Sequence, residues 1–233
     1  MIIYIILPVY NDTIMEPELT FSFGKFKGIP IKDVFEQQPT YLEWVIKQRW
    51  FKDKFIKEYK LCLLFLNKTK EETHTPIQED DIVIYTDGAC SKNGSLSAKA
   101  GIGVHFSKRN NLRFQDISEP LSDDTLYKPT NQRAELQAIL EALRRVKEVD
   151  RNIIIYTDSD YSIKCVTQWY PNWLKKNTLA KKMNIDLIQP IAQYYQALTV
   201  EFRHIRSHTG LQDEHSLGNE EADRLATSSL VLQ

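Results

Sequence analysis

The tetrapeptide Ile-Tyr-Thr-Asp occurs twice in this chain, at residues 84–87 and again at residues 155–158. Each copy ends a short apolar run rich in β-branched and aromatic residues, which is typical of a buried strand. If the two strands are parallel neighbours, about 4.8 Å apart, Asp87 and Asp158 meet at one edge of the sheet. Two carboxylates that close repel each other unless a proton or a cation lies between them. The repeat therefore predicts a cation-binding strand edge.

The overall composition excludes a generic polyanion-binding protein. The chain has 233 residues, with 30 Lys and Arg against 31 Asp and Glu, and a net charge of −1. This length exceeds one average domain but is short for two large ones.

The cysteines and the first residues indicate an intracellular protein. The three cysteines, at positions 62, 90 and 165, share no close spacing, which argues for a reducing compartment and against a zinc site. The apolar segment 1–8 lacks a basic leader and is too short to cross a bilayer, so we expect an edge strand there. We expect a cytoplasmic location without membrane contact.

A polar segment at residues 67–80 divides the chain, and we expect it to be a linker. Residues 1–66 would then form a small basic α+β module, and residues 81–233 a larger catalytic domain. The basic character is local, because residues 21–70 contain eleven Lys and Arg against five Asp and Glu, a net charge of +6.

The larger domain is predicted to belong to the α/β class. Besides the two tetrapeptide strands, residues 101–106 and 112–117 predict strands, and residues 198–205 alternate like another. Apolar residues at helical spacing mark residues 133–149, and residues 220–230 can form a final helix. We expect a five-stranded mixed sheet flanked by helices.

Three acidic residues lie on faces that are predicted to be buried. Asp87 and Asp158 share strand faces with apolar residues, and Glu135 lies on the apolar stripe of the 133–149 helix. A single carboxylate of this kind could be structural, bonded to backbone amides at a helix start. A pair of divalent cations roughly 3.5–4 Å apart would satisfy the whole group, and phosphodiester chemistry needs that geometry.

Four blocks of sequence around these acids resemble type 1 ribonucleases H. The blocks are residues 85–94, 130–136, 156–159 and 218–226. They occur in the order and spacing of that family and cover about residues 81–229. The resemblance implies an RNase H-like fold and endonucleolytic hydrolysis of the RNA strand of RNA–DNA hybrids, which leaves 5′-phosphate and 3′-hydroxyl ends.

The same resemblance implies a set of metal ligands. Asp87, Glu135, Asp158 and Asp223 would hold two Mg²⁺ ions, with Mn²⁺ as a substitute, because hard oxygen ligands suit these cations. One ion would lower the pKa of a bound water, and the other would stabilise the leaving 3′ oxygen.

His208 stands where the family carries a histidine on a mobile loop, which implies a role in proton transfer or product release. The alternative is a solvent-exposed loop histidine without a role. Residues 206–207 depart from the family's small residues, and the stretch from His208 to Asp223 is longer than usual. His215 lies in that stretch and is a candidate substitute for His208.

The substrate contacts are also implied by the resemblance. Asn93, Asn131 and Gln132 would hydrogen-bond the RNA strand in the minor groove, where the 2′-hydroxyl distinguishes RNA from DNA. Thr130 and Asn184 would grip a DNA phosphate. Thr130 and Asn131 are also suited to simple helix N-capping.

Residues 168–176 resemble the helix and basic protrusion that hold the DNA strand. Trp169 would line the DNA channel, and Lys175 and Lys176 would meet phosphates without reading sequence. The protrusion is shortened by several residues between positions 177 and 184, which weakens the expected grip.

The N-terminal part resembles a different nuclease module. Residues 23–28 and 41–44 resemble the small domain appended to exodeoxyribonuclease X-like nucleases. Residues 47–60 interleave basic and aromatic side chains, as nucleic-acid grooves do. The alternative is a helix whose aromatic residues are core and whose lysines are solvated.

Two other functions stay open. One is a non-catalytic module that binds hybrids, and the other is a DNA-acting nuclease or resolvase on the same fold. All four ligands are present, which argues against the first, and Asn93 with the Asn131-Gln132 pair argues against the second. We expect a monomer whose partner is the RNA–DNA hybrid.

Overall fold

The computed structural model describes residues 19–110, 114–121 and 127–232. The edge strand predicted at residues 1–8 lies outside these ranges. The chain divides between Pro76 and Ile77 into two compact units. Within the described ranges, no helix is both long enough and apolar enough to cross a membrane.

The N-terminal unit is mainly helical. Its helices are α1 (Ile31–Gln37), α2 (Pro39–Val45), α3 (Arg49–Lys54) and α4 (Ile56–Thr73). The prediction of an α+β module is wrong for residues 19–76, where the only strand-like pairings are two isolated bridges, Thr20 with Pro30 and Phe21 with Lys27. Because α4 continues through Thr73, the first half of the segment expected to be a linker is helical instead.

Aromatic rings form much of the core of this unit. Phe21 and Phe51 are fully buried, and their ring centroids lie 6.3 Å apart. Tyr41 meets Phe21 edge to face at 5.5 Å. A small unit gains from such residues because each aromatic side chain buries a large apolar area.

The C-terminal unit contains the predicted sheet. Its strands are β1 (Ile82–Ser91), β2 (Lys99–Phe106), β3 (Ile117–Pro120), β4 (Ile153–Thr157) and β5 (Val200–His204). Its helices are α5 (Asn131–Val146), α6 (Asp160–Lys164), α7 (Tyr170–Lys175), α8 (Ile185–Ala197) and α9 (Glu214–Ser229). A π-helical turn joins α6 to α7, and short 3₁₀ turns precede α8 and follow α9.

The strand order is β3-β2-β1-β4-β5. Strand β2 pairs antiparallel with β1 and β3, whereas β4 pairs parallel with β1 and β5. The prediction of a five-stranded mixed sheet is therefore confirmed. The two tetrapeptides pair residue by residue, because Tyr85 is opposite Tyr156 and Thr86 is opposite Thr157.

Both faces of the sheet are buried, as expected for parallel strands that are continuous apolar runs. Ile84 and Ile155 belong to a core that includes α5 and α8. Tyr85 and Tyr156 point to the other face, where they pack with Ala222 of α9. The tetrapeptides thus contribute alternately to two cores.

Several element boundaries differ from the sequence predictions. Strand β3 begins at Ile117, so Phe114 precedes the strand. Helix α5 ends at Val146, three residues earlier than expected. Helix α9 begins six residues earlier than predicted, because the Asp213 carboxylate caps it by accepting a hydrogen bond from the Ser216 N–H at 2.9 Å.

Candidate active site

The sheet register brings the two tetrapeptide aspartates together. Thr86 and Thr157 are paired neighbours in parallel strands, and Asp87 and Asp158 are the next residues along each chain. Both carboxylates therefore lie at the same end of adjacent strands. One ligand atom from each of Asp87, Asp158 and Glu135 lies within 4.8 Å of the other two.

Glu135 reaches this edge because α5 packs closely against β1 at Gly88. A Cβ atom on Gly88 would lie 2.2 Å from the backbone nitrogen of Glu135. Only glycine therefore permits this approach of helix to strand. The Glu135 side chain is buried as a result, with 6% of the residue exposed.

Asp223 approaches the group from the opposite face of the sheet. It lies on α9, is partly buried, and its carboxyl group contributes to the raised pKa of Asp87. The four predicted ligands thus come from β1, the end of β4, α5 and α9.

The group is electrostatically strained without a cation. Burial raises the pKa of Asp87 to about 8, and the charges of Asp158 and Asp223 add to this effect. Burial also raises the pKa of Glu135 well above its usual range, together with repulsion from Asp87 and Asp158. Hydrogen bonds from Asn131 and from the Gly88 N–H oppose the shift of Glu135 only in part.

The donor set fits a divalent cation. The Glu135 Oε2 atom is buried and accepts no hydrogen bond within the part of the chain that the structure describes. A buried carboxylate oxygen without a partner is costly, and a cation ligated there would remove that cost. All four groups offer hard oxygen ligands, which suit Mg²⁺ or Mn²⁺ better than zinc.

Two asparagines connect the carboxylates to the loop after β1. The Asn131 Nδ2 group donates to Glu135 Oε1 at 3.3 Å, and the Asn131 backbone N–H donates to Asn93 Oδ1 at 3.3 Å. Gln132 is the next residue and is exposed. The structure therefore brings Asn93 and Asn131 to the rim of the carboxylate group, and Gln132 follows Asn131 on α5.

Thr130 and Asn184 are linked through a residue that the sequence did not single out. Thr130 is the N-cap of α5, and its hydroxyl accepts from the Arg133 N–H at 3.2 Å. The buried Arg133 guanidinium donates to Asn184 Oδ1 at 3.3 Å and pairs with Asp186 at 2.7 Å. The sequence does mark Arg133 as unusual, because it is a charged residue on the same helical stripe as the apolar Leu136.

Asn184 is held by several contacts. Its backbone is left-handed, with φ of 59°, and 7% of the residue is exposed. Its Nδ2 group donates to the Tyr161 hydroxyl at 3.2 Å. The amide of Asn184 is therefore fixed from both ends, by Arg133 and by Tyr161.

The aromatic and basic residues predicted to meet the DNA strand lie around α7. Trp169 is half-exposed at the end of the π-helical turn, and its ring lies 6.2 Å from that of Trp173. Trp173 packs partly against the core. Lys175 and Lys176 are exposed at the end of α7. The structure does not bring Trp169, Lys175 or Lys176 into the carboxylate group.

The two candidate histidines occupy different environments. His208 is exposed on the loop between β5 and α9, with φ of 52°. His215 is on α9, and its ring nitrogens lie 2.9 and 3.2 Å from the hydroxyls of Tyr85 and Tyr156. The suggestion that His215 could replace His208 on a mobile loop is therefore wrong. Of the stretch between His208 and Asp223, residues 214–222 belong to α9.

The RNase H family model matches residues 79–230, a range that contains all five strands and the four carboxylates. The chain belongs to the RNase H family. The residues matched by this family model lie entirely within the C-terminal unit. A second family model, exodeoxyribonuclease X-like C-terminal, matches residues 21–49 and confirms the resemblance noted for the N-terminal part.

Individual RNase H relatives agree with the family match. The chain is 35% identical over 153 residues to Ribonuclease H1 of Rattus norvegicus, covering 63% of this chain and 49% of the relative. It is 36% identical over 154 residues to Ribonuclease H of Orientia tsutsugamushi, covering 64% of this chain and 82% of the relative. The chain therefore spans about half the length of the mammalian relative.

A solved RNase H structure shows the same fold. The solution structure of the PFV RNase H domain superposes with a TM-score of 0.54 and 25% sequence identity, covering 65% of this chain and 94% of that one.

A cavity of about 640 Å³ lies elsewhere in the RNase H unit and is lined by none of the four carboxylates. His105, Asp116 and Glu221 on its wall could also approach one cation. The His105 ring already contacts Asp116 at 2.8 Å, and Glu221 pairs with Arg224 at 2.6 Å. A cation there would have to displace these partners, so this group fits a metal less well than the buried carboxylates.

Proposed function

We propose that this chain is an endonuclease that hydrolyses the RNA strand of RNA–DNA hybrids. The observation that carries the proposal is the buried carboxylate group, in which a Glu135 oxygen lacks a hydrogen-bond partner within the described residues. The group lies in a domain of the RNase H family. Relatives named ribonuclease H from mammals and bacteria support the same activity.

We infer that Asp87, Glu135, Asp158 and Asp223 hold two divalent cations, with Mg²⁺ as the ion used and Mn²⁺ as a substitute. When bound, such ions supply a water nucleophile at neutral pH and neutralise charge on the leaving 3′ oxygen, so that the products carry 5′-phosphate and 3′-hydroxyl ends. The contribution of the chain is a set of carboxylates held at fixed positions before the substrate arrives. Strand pairing fixes two of them, and helix packing fixes the other two.

Discrimination between RNA and DNA is assigned to the amides beside Glu135. A 2′-hydroxyl both donates and accepts, and the side chains of Asn93, Asn131 and Gln132 can do the same. Gln132 is exposed, and Asn131 already hydrogen-bonds Glu135 at 3.3 Å. Recognition of the sugar and the reaction at the phosphate would thus be coupled through one asparagine.

The DNA strand is assigned to the residues around Arg133. Thr130 and Asn184 would bind one phosphate, with Arg133 holding the two residues together. Trp169 would contact the sugar or base through its exposed ring, while Lys175 and Lys176 would add salt-dependent affinity. His208 would transfer protons or assist product release from its exposed loop.

The N-terminal unit is proposed to bind nucleic acid through two exposed tryptophans. Within the basic-aromatic stretch 47–60, Phe51 and Tyr59 are buried. These two aromatic residues are therefore part of the core and are not available to bind nucleic acid. Trp44 and Trp50, in contrast, are 52% and 38% exposed. Exposed rings among lysines can stack on unpaired bases, and a tethered site of this kind raises the local concentration of substrate.

One assay tests the main proposal. Labelled RNA–DNA hybrid, duplex DNA and single-stranded RNA are each incubated with the full chain in Mg²⁺, Mn²⁺ or chelator. We expect cleavage of the hybrid alone, on the RNA strand, with both cations and not with chelator. Equal cleavage of duplex DNA would favour the DNA-acting alternative, and hybrid binding without cleavage would favour the non-catalytic module.

The matched variant is Asp87→Asn, which keeps the shape of the side chain and removes its charge. We expect turnover to fall by at least about 1,000-fold, because cations contribute several kcal/mol to the transition state. Hybrid affinity should stay largely intact. Since all four carboxylates belong to one chain, we propose that the active form is a monomer, which light scattering of the active fraction would test.

A further inference from the structure

His215 lies between two tyrosines that come from the repeated tetrapeptides. Its Nδ1 atom is 2.9 Å from the Tyr85 hydroxyl, and its Nε2 atom is 3.2 Å from the Tyr156 hydroxyl. Its ring stacks on that of Tyr156, with centroids 4.3 Å apart and an interplanar angle of 19°. The two tyrosine rings also stack on each other, at 5.3 Å.

The three residues of this cluster lie on the elements that position three of the carboxylates. Tyr85 precedes Asp87 by two residues on β1, and Tyr156 stands in the same relation to Asp158 at the end of β4. Because side chains alternate along a strand, Tyr85 points to the same face of β1 as Asp87. His215 precedes Asp223 by eight residues on α9, which places the two on one broad face of that helix.

A neighbouring arginine orients the cluster. The Arg203 guanidinium donates to the Tyr156 oxygen at 3.3 Å and pairs with Glu201 of β5 at 2.8 Å. The Tyr156 oxygen therefore contacts both Arg203 and His215 Nε2, while His215 reaches the Tyr85 hydroxyl through Nδ1.

The backbone of α9 is also fitted to Tyr85. One turn after His215, a Cβ atom on Gly218 would lie 2.5 Å from Cε2 of the Tyr85 ring. Only glycine therefore lets this part of the helix approach the strand so closely. The contact and the two hydrogen bonds together fix the helix against β1 and β4.

We propose that His215 is a positioning residue, which sets the placement of Asp223 on α9 relative to Asp87 and Asp158 on the two strands. The inference rests on the proposed function of the carboxylate group. His215 touches neither substrate nor cation in this role. It acts by holding three elements at the distance that cation binding needs.

The test compares two substitutions in the full chain. His215→Phe keeps a ring between the tyrosines and removes both hydrogen bonds, whereas His215→Gln keeps one donor and one acceptor. We expect His215→Phe to raise the Mg²⁺ concentration for half-maximal hybrid cleavage by about 10-fold, a size typical of residues that orient metal ligands. His215→Gln should restore part of that loss.

A second readout does not depend on cleavage. Saturating Mg²⁺ should raise the Tm of the unmodified chain, and the rise should be smaller in His215→Phe at the same Mg²⁺ concentrations. Tyr85→Phe and Tyr156→Phe, which each delete one hydroxyl, give milder tests if His215→Phe does not fold. Tyr195→Phe removes a hydroxyl on α8 and serves as the matched control.

The outcomes separate this proposal from the function on which it rests. A lower Tm in the His215 and tyrosine variants, with unchanged Mg²⁺ dependence in both readouts, would show a merely structural role and overturn the inference. Absence of hybrid cleavage by the unmodified chain would contradict the proposed function. The Mg²⁺-dependent rise in Tm would still decide the role of His215.

Discussion

The Arg133 guanidinium on α5 donates two hydrogen bonds to the Asp186 carboxylate on α8, at 3.1 and 2.7 Å. Thr130 caps α5 through the backbone N–H of the same arginine. This ion pair therefore joins the start of the helix that carries Glu135 to the start of the helix that follows Asn184. It fixes the side of the site assigned to the DNA strand.

Removal of this arginine should destabilise the fold. In Arg133→Ala the buried Asn184 and the more exposed Asp186 lose their donor, and loss of a hydrogen bond to a charged group costs about 2 kcal/mol. We expect the free energy of unfolding, measured with urea, to fall by that amount. Arg145→Ala, at an exposed position on the same helix, should change it by less than about 0.5 kcal/mol. Equal losses in the two variants would contradict the structural role of the pair.

Stability without a cation should fall as the pH rises. The pKa of Asp87 increases from its ordinary value of 3.8 to about 8 in the folded chain, so between these values the folded state binds more protons than the unfolded state. The free energy of unfolding then decreases with increasing pH across this window. In chelator, Tm should decline between about pH 5 and pH 8, and saturating Mg²⁺ should reduce the decline.

Asp87→Asn should have a shallower dependence of Tm on pH in chelator, because it removes one of the groups whose pKa is raised. Glu135 would retain part of the slope, since its pKa is also raised. A slope equal to that of the unmodified chain would show that Asp87 does not carry the effect.

Recognition of the RNA strand should depend on Gln132. Its substitution by alanine removes a side chain that can hydrogen-bond a 2′-hydroxyl, and a bond of this kind contributes about 1 kcal/mol. We expect kcat/KM for hybrid cleavage to fall by about 5- to 10-fold. Gln137→Ala is the control, because Gln137 lies further along α5 and bonds Glu141 of the same helix. A hybrid cleaved equally well by both variants would remove Gln132 from the recognition set.

Binding by the N-terminal unit should depend on its two exposed tryptophans. Stacking of a base on an aromatic ring contributes about 1–3 kcal/mol, so Trp44→Ala combined with Trp50→Ala should weaken binding of a single-stranded overhang by at least about 5-fold. Fluorescence anisotropy with the full chain would measure this. Leu64→Ala removes a similarly exposed apolar side chain, 49% exposed on α4, and should leave affinity unchanged. If the double variant binds as the unmodified chain does, the unit has another role.

The sheet and the carboxylate cluster could be predicted because their signals are local. The two copies of Ile-Tyr-Thr-Asp mark strands by composition, and parallel pairing is enough to bring Asp87 and Asp158 together. Glu135 was visible as an acid on an apolar helical stripe. The structure places these acids together, while their roles in catalysis stay a prediction.

The features that could not be predicted depend on long-range contacts. His215 was assigned to a loop because nothing near it in the sequence reveals that Tyr85 and Tyr156 meet its ring. The cap of α9, in contrast, had a local signal, since Asp213 and Ser216 have the spacing of a helix N-cap. The pairing of Arg133 with Asp186 joins two helices and leaves no periodic pattern in the sequence.

The paired register of the two tetrapeptides has a consequence for any control of the site. Hydrogen-bonded strands cannot slide or separate without breaking the sheet, so the spacing between Asp87 and Asp158 belongs to a rigid half of the site. Glu135 and Asp223 are held instead by the side-chain contacts of helices on opposite faces, and helices held in this way can shift by an ångström or so when those contacts change. Any signal that tunes this site from a distance is therefore expected to act on this adjustable half, through α5 or α9.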